Sequence, residues 1–240
     1  MTPWTFRHSR EITFPKLRQQ NLETGRVYLV ESGEYAGLTF PSITRVLGAK
    51  PKPALDAWKK RVGAKEAARV SRAATTQGTA IHKLAEMFLN NRISVNGLPP
   101  NVAELWSFLR PWLLDHVTCV YEQETDVFSP MLSVAGRFDL LAEIDNILTV
   151  VDFKTAARPK REAYIEDYYL QGTFYAAATY ELTGHKPKRI IFPIVSPQGL
   201  QLFETKPSNH ISGLVDRVRE YYTLYHPNNT IDGERRPAYN

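Results

Sequence analysis

The chain of 240 residues contains a single cysteine, Cys119. That excludes a disulfide framework, a cysteine-ligated zinc site and any four-cysteine iron–sulfur cluster. It also lacks an apolar run of the ~18 residues needed to span a bilayer, so no membrane partner is expected. The opening stretch MTPWTFRHSREITF has no apolar segment of the kind a secretory signal requires. A G-x-x-x-x-G-K-[ST] phosphate loop is missing too, and so are internal repeats and long Gly/Ser linkers. The expectation is one cytoplasmic domain over 1–240. An N-terminal hairpin and basic helical segment (1–72) precede a core (73–205), and a C-terminal helix with a frayed tail (206–240) closes it.

Hydrophobic residues make up 43% and charged residues 23%, a composition that folds. Lys plus Arg (30) exceeds Asp plus Glu (25), and the excess is concentrated between Lys50 and Arg72. Trp58, Lys59, Lys60 and Arg61 sit inside that run. It reads either as a solvated amphipathic helix or as a track for a polyanionic strand, with the indole stacking on a base. Arg26 to Phe40 reads as a hairpin, and Ser42 as the cap of a short helix that Gly48 closes. Helices are expected over Thr75–Asn90 and Asn101–Val117, the second kinked or broken at Pro111. Strands follow over Cys119–Phe128, Ser133–Ile144 and Ile147–Thr155, then a long helix ending at Gly184. A second hairpin and a last helix capped by Ser208 or Asn209 complete the order, which indicates an α/β sandwich.

The most informative stretch is Gly136–Thr155, GRFDLLAEIDNILTVVDFKT. Asp145-Asn146 is a turn signal between two apolar runs, and a turn centred there sets Asp139 opposite Asp152. Facing residues of an antiparallel pair have Cβ atoms about 4.5–5.5 Å apart on one face. Lys154 shares that face by strand periodicity, while Phe138, Leu140, Val151 and Phe153 point away into packing. Two carboxylates side by side in an apolar sheet persist when a cation neutralises them. All-oxygen ligation with room for water suits Mg²⁺ or Mn²⁺. The alternative is that these acids sit at strand ends in solvent, or that one of them pairs with Lys154.

Two helices offer support. His82 and Glu86 are four residues apart on one helix face, either as a ligand with its orienting acid or as a surface pair. Gln171 and Tyr175 have the same spacing later, on a tyrosine-rich helix.

The order Gly78…His82…Glu86, Gly136-Arg-Phe-Asp139, Asp152-Phe-Lys154 and Gln171…Tyr175 resembles the PD-(D/E)XK nuclease superfamily. Within it, the RecB-like exonuclease branch is the nearer likeness, including the mitochondrial genome maintenance exonuclease and phage exonucleases. A PSITRVL-type segment and a DAWKKR-type basic helix precede the histidine helix there as here. The resemblance implies a central mixed β-sheet flanked by helices and a metal held by His82, Asp139, Asp152 and the Phe153 carbonyl. It makes Lys154 the residue that positions the attacking water, with Gln171 and Tyr175 orienting that lysine or a DNA phosphate. Glu124 or Glu122 is a candidate auxiliary acid. The implied activity is a Mg²⁺- or Mn²⁺-dependent exonuclease on single-stranded DNA ends in recombination, repair or replication, in a bacterial or phage-infected cell. A flap endonuclease on the same core and a non-catalytic single-strand binder are the alternatives.

If the basic run follows a strand, neutralising Lys59, Lys60 and Arg61 together weakens single-stranded DNA binding. The slope of log affinity against log salt then flattens by about 0.7 per lost contact. Titrations at several salt concentrations check this, and an unchanged slope returns the run to the solvated-face reading.

Overall fold

The structure, a computed structural model, describes residues 5–23, 25–92 and 97–225; the tail expected to fray after Pro227 lies outside the described residues. A small antiparallel sheet comes first, of β1 (Leu17–Leu22), β2 (Gly25–Val30) and β3 (Thr39–Pro41). The hairpin expected within 26–40 is β2 with β3. Strand β1 escaped the sequence reading because LRQQNL is polar and mostly exposed. Ser42 caps α1 (Ile43–Gly48), its Oγ accepting from the Arg45 amide at 3.2 Å.

The basic run does not form one element. It divides at Gly63, whose φ of 83° breaks α2 (Pro53–Val62) from α3 (Ala64–Leu89). The histidine helix therefore starts at Ala64, well before Thr75, because AKEAARVSRAA is strongly helix-forming. The next helix, α4 (Pro100–His116), runs unbroken through Pro111. Buried Leu109, Trp112 and Leu113 on either side of the proline outweigh the one backbone bond it cannot donate.

The main sheet then assembles from β4 (Val117–Ser129), β5 (Val134–Ile144), β6 (Ile147–Val151), β7 (Lys154–Thr155), β8 (Arg189–Ser196) and β9 (Gly199–Thr205). Its order is β4-β5-β6-β8-β7, with β9 also on β8. β6 and β7 run parallel to β8 and the other pairs are antiparallel, which makes the sheet mixed. Two helices complete the chain: α5 (Glu166–Thr183), stopped by Gly184 at φ 73°, and α6 (Ile211–Tyr225). Ser208 and Asn209 belong to a 3₁₀ turn over Pro207–Asn209 rather than to the cap of α6. One apolar cluster packs α1, α5 and α6 on one face of the sheet, and another packs α3 and α4 on the other. Along β4, residues 7–9 lie parallel to the strand, with Val120 N donating to Arg7 O and Ser9 N to Val120 O. Among the described residues no helix is long and apolar enough to cross a membrane.

The feature that positions the site is a fork in this sheet. Asp145 and Asn146 take φ of 51° and 63°, a two-residue turn that fixes the β5–β6 register from Ile144↔Ile147 to Leu140↔Val151. There the pairing stops. β5 continues on β4, while the other strand continues on β8 through Asp152 N to Ile191 O and then as β7. The strand expected over 147–155 is thus interrupted at Asp152–Phe153. Leu140, Val151 and Phe153 pack with α3 and α4, but Phe138 packs on the α5 side, because the alternation of β5 changes phase at Asp139.

Helix α5 presses close to the sheet at Gly172. A Cβ there would lie 2.5 Å from Ile190 Cγ2 and 2.8 Å from Phe192 Cζ. Gly172→Ala is therefore expected to cost about 1–3 kcal/mol through overpacking. Urea denaturation should show a lower midpoint for it, and an unchanged midpoint would refute the close fit.

Candidate functional site

Asp139 and Asp152 stand at the open end of the fork, and separate elements deliver everything else around them. Asp139 Oδ2 accepts from the Phe153 amide at 2.6 Å, tying the two diverging strands together. From the helical layer, α3 brings His82, whose Nδ1 lies 3.3 Å from Asp139 Oδ1 and whose ring meets Phe153 edge-on. β4 brings Glu124. The pairs Gln123↔Leu140 and Thr125↔Phe138 bracket it against Asp139, and its φ of 49° is unusual for a residue with a side chain. Ligand atoms of His82, Glu124 and Asp139 all lie within 4.8 Å of one another.

Asp152 faces α5 instead. It is buried and pairs with the Lys154 ammonium. Lys154 Nζ also donates to Gln171 Oε1 at 3.3 Å, and Gln171 Nε2 donates to Tyr175 Oη at 2.9 Å. The Tyr168 ring lies under the same ammonium at 5.1 Å. These groups share a cleft of about 220 Å³ with Glu124, Asp139 and His82.

The electrostatics follow from burial and crowding. Loss of water pushes the Asp152 carboxyl up to about 6, Asp139 adds to that, and Lys154 opposes it. Burial works against the Lys154 ammonium, yet the Asp152 and Asp139 carboxylates outweigh it and hold its pKa above the ordinary lysine value. Burial raises Glu124, with Asp139 second. For His82 burial favours the neutral ring, but the bond to Asp139 prevails and the net shift is upward. Burial, then Asp152, drives the Tyr175 hydroxyl well above its usual range, so it stays a neutral donor and acceptor.

The other residues singled out from sequence fall into place unevenly. Glu86 does not orient His82; it pairs with Lys83 at 2.7 Å, because a lysine three residues away on α3 competes for it. Glu122 accepts from Thr125 Oγ1 at 3.0 Å, which leaves Glu124 as the acid in the cleft. Phe153 meets the site through its N–H. Trp58 is half-buried, and Lys59, Lys60 and Arg61 are exposed on α2. That helix packs near Ala67, Ala68 and Ser71 of α3, and Ser71 is about 16 Å from His82 by the rise of a helix. Tyr168 is not singled out by the sequence pattern; its place three residues before Gln171, on the same helix face, is the signal available for it.

Comparison with known proteins bears on the same stretch. Residues 103–218 match the model of the PD-(D/E)XK nuclease superfamily. That span contains Glu124, Asp139, Asp152, Lys154, Gln171 and Tyr175, while His82 and the N-terminal sheet lie outside it. Among solved structures, one titled "Crystal structure of SSO0001" is similar over 77% of this chain and 75% of its own, at 12% identity and a TM-score of 0.42. No curated protein matches the chain.

Two carboxylates and an imidazole converging beside a third, buried carboxylate are donors that fit a Mg²⁺- or Mn²⁺-class ion. An ion that binds only the folded chain stabilises it by about 2.7 kcal/mol at a hundred times its dissociation constant. Thermal unfolding with and without Mn²⁺ is expected to show this shift in the unaltered protein. Asp139→Asn and Glu124→Gln should lose it and Glu86→Gln should keep it. A shift lost only in Glu86→Gln would place the ion elsewhere.

Proposed function

We propose that the protein is a metal-dependent DNA exonuclease that hydrolyses phosphodiester bonds from single-stranded ends, in recombination, repair or replication. The observation that carries this reading is the fork itself. It gathers an imidazole and two carboxylates at one point and aims a lysine ammonium, already fixed by Gln171, at the neighbouring carboxylate. The superfamily match over 103–218 supports the reaction class.

The residues divide the work as follows. His82, Glu124 and Asp139 would hold the divalent ion, Mg²⁺ or Mn²⁺, with Asp152 and the Phe153 carbonyl completing its surroundings. Such an ion supplies charge stabilisation at the phosphoryl oxygen and a more acidic water. With Asp152 among the residues that would hold the ion, Lys154 would be released from its pair with that carboxylate to face the attacking water or the non-bridging oxygen. Gln171 Oε1 accepts a hydrogen bond from the ammonium and Gln171 Nε2 donates to Tyr175, so the ammonium would keep its direction while its partner changes. The Tyr168 face adds a cation–π contact that does not depend on Asp152. Exposed Lys59, Lys60 and Arg61, with Trp58, would follow the strand away from the cleft.

The single-strand preference rests on size. A cleft of about 220 Å³ at the fork takes part of one strand, whereas a stacked duplex would first have to unpair. End-labelled linear and closed circular DNA, single- and double-stranded, incubated with Mg²⁺, Mn²⁺ or EDTA, tests the whole reading. Linear single strands should be digested fast, blunt duplexes slowly and circular single strands hardly at all. Rapid nicking of the circle would move the enzyme to the endonuclease class, and activity persisting in EDTA would sink the metal mechanism. Asp152→Asn should abolish turnover. Lys154→Ala should lower it by orders of magnitude while leaving the Mn²⁺-dependent thermal shift in place. Loss of that shift in Lys154→Ala would make the lysine a structural ion-pair partner instead.

A further inference from the structure

The wall of the cleft away from α5 is built by parts of the chain that precede the superfamily-matched span. Arg26 and Tyr28 of β2 and Thr44 of α1 line it, together with Arg137 of β5. Backbone bonds fix their approach. Ser42 N donates to Arg26 O at 3.1 Å, and Ser42 also bridges Ala135 of β5, so the small sheet is fastened to the strand that carries Asp139. Gly136 makes the close packing possible, since a Cβ there would lie 3.0 Å from Ile43 Cγ2 and 2.9 Å from the Tyr175 ring. The result is a pair of guanidinium-bearing residues at the mouth of a cleft whose floor is acidic.

Neither guanidinium is used by the candidate metal centre. Asp139 is engaged by His82 and the Phe153 amide, and Asp152 by Lys154. Arg137 shares a strand face with Asp139, and Asp126 holds its Nε and Nη2 at 2.7 and 3.0 Å. That grip fixes the plane of the guanidinium and leaves its other N–H groups to donate. Arg26 is exposed, touches the hydroxyl of the buried Tyr28, and has no salt bridge among the described residues. A polyanionic strand entering over three carboxylates meets repulsion from the floor, and two planar forks at the rim are the groups suited to offset it.

We propose that Arg26 and Arg137 form a phosphate clamp, gripping the backbone phosphate that neighbours the one placed at the fork. The clamp rests on the nuclease reading for the second phosphate, but its own ligand is the phosphodiester chain. Arg26 supplies a fork that rests on the Tyr28 hydroxyl and Arg137 one fixed by Asp126, so the strand's direction through the cleft is set before chemistry begins.

Binding of a fluorescein-labelled single-stranded oligothymidylate tests this, by anisotropy across a salt series with Mg²⁺ present. All variants carry Asp152→Asn so that nothing is cleaved. Arg26→Gln is expected to bind about tenfold more weakly, in line with loss of a charged hydrogen bond, and its salt slope should fall by about 0.7. Arg26→Lys should restore the slope but only part of the affinity, because an ammonium keeps the charge and loses the fork. With Asp152 restored, Arg26→Gln should raise KM and leave kcat largely intact. Equal affinity and slope in Arg26→Gln would overturn the clamp. So would weaker binding at an unchanged slope, or a lowered unfolding midpoint that Arg26→Lys shares. If the clamp fails while the unaltered protein still digests DNA, the nuclease reading survives it. Binding that depends on Arg26 in a protein that cleaves nothing with Mg²⁺ or Mn²⁺ would keep the clamp and end the nuclease reading. No binding by the parent protein would end both.

Discussion

Asp152 is a carboxylate with almost no access to water, set at the last rung of a hydrogen-bonded ladder. A buried charge of that kind must be neutralised, and the surrounding structure is arranged to do so. Lys154 sits two residues on because a strand returns its side chains to the same face at that spacing. Gln171 and Tyr175 in turn hold the ammonium, and α5 can bring them close only because Gly172 lets the helix settle against β8. The separation of β5 from β6 beyond Leu140 and Val151 opens room beside Asp152 without exposing it. The same fork leaves Asp139 free to meet a histidine from one helical layer, while its neighbour faces the other.

Local chemistry made much of this legible. Asp145-Asn146 is a recognisable turn, and counting from it brings Asp139 and Asp152 to the same end of the hairpin. The expected direct pairing on one face does not form, because the ladder stops one rung earlier at Leu140↔Val151 and the two acids turn to different helices. The Ser42 cap and the Gly184 stop were readable for the same reason, since each is a property of one residue and its immediate neighbours. What escaped depended on distant parts of the chain. Glu124 reaches the site through a register irregularity between Val120 and Glu122 and an unusual backbone angle, neither of which has a sequence signature. Glu86 looked the better partner for His82 by spacing alone, but helix neighbours compete and Lys83 prevails. Pro111 failed to break α4 because packing outweighs propensity, and β1 stayed hidden because an exposed edge strand needs no apolar alternation. The assignment of roles within the cleft belongs to resemblance and chemistry more than to periodicity.

The chain also separates two kinds of basic residue that composition alone lumps together. Those on α2 are exposed, sit on a helix with no buried residue, and join α3 through a left-handed glycine. Arg26 and Arg137 are set on strands beside the fork, one of them locked by a carboxylate. Outlying charges act mainly on encounter, and charges held at fixed geometry act on register. On the proposed reading, the positive charge would thus serve both the approach of a strand and its placement at the fork.

Strand β4 is the outer strand of the main sheet, and residues 7–9 lie along part of it and satisfy Val120 in both directions. An uncovered strand of that length offers a row of unpaired amides and carbonyls to any other extended chain. Over that stretch the segment would hinder sheet-to-sheet association between copies, a hazard greatest while a protein is newly made and crowded. Its contribution would be felt less in the stability of the single folded molecule than in how concentrated a solution of such molecules can become before they begin to stick.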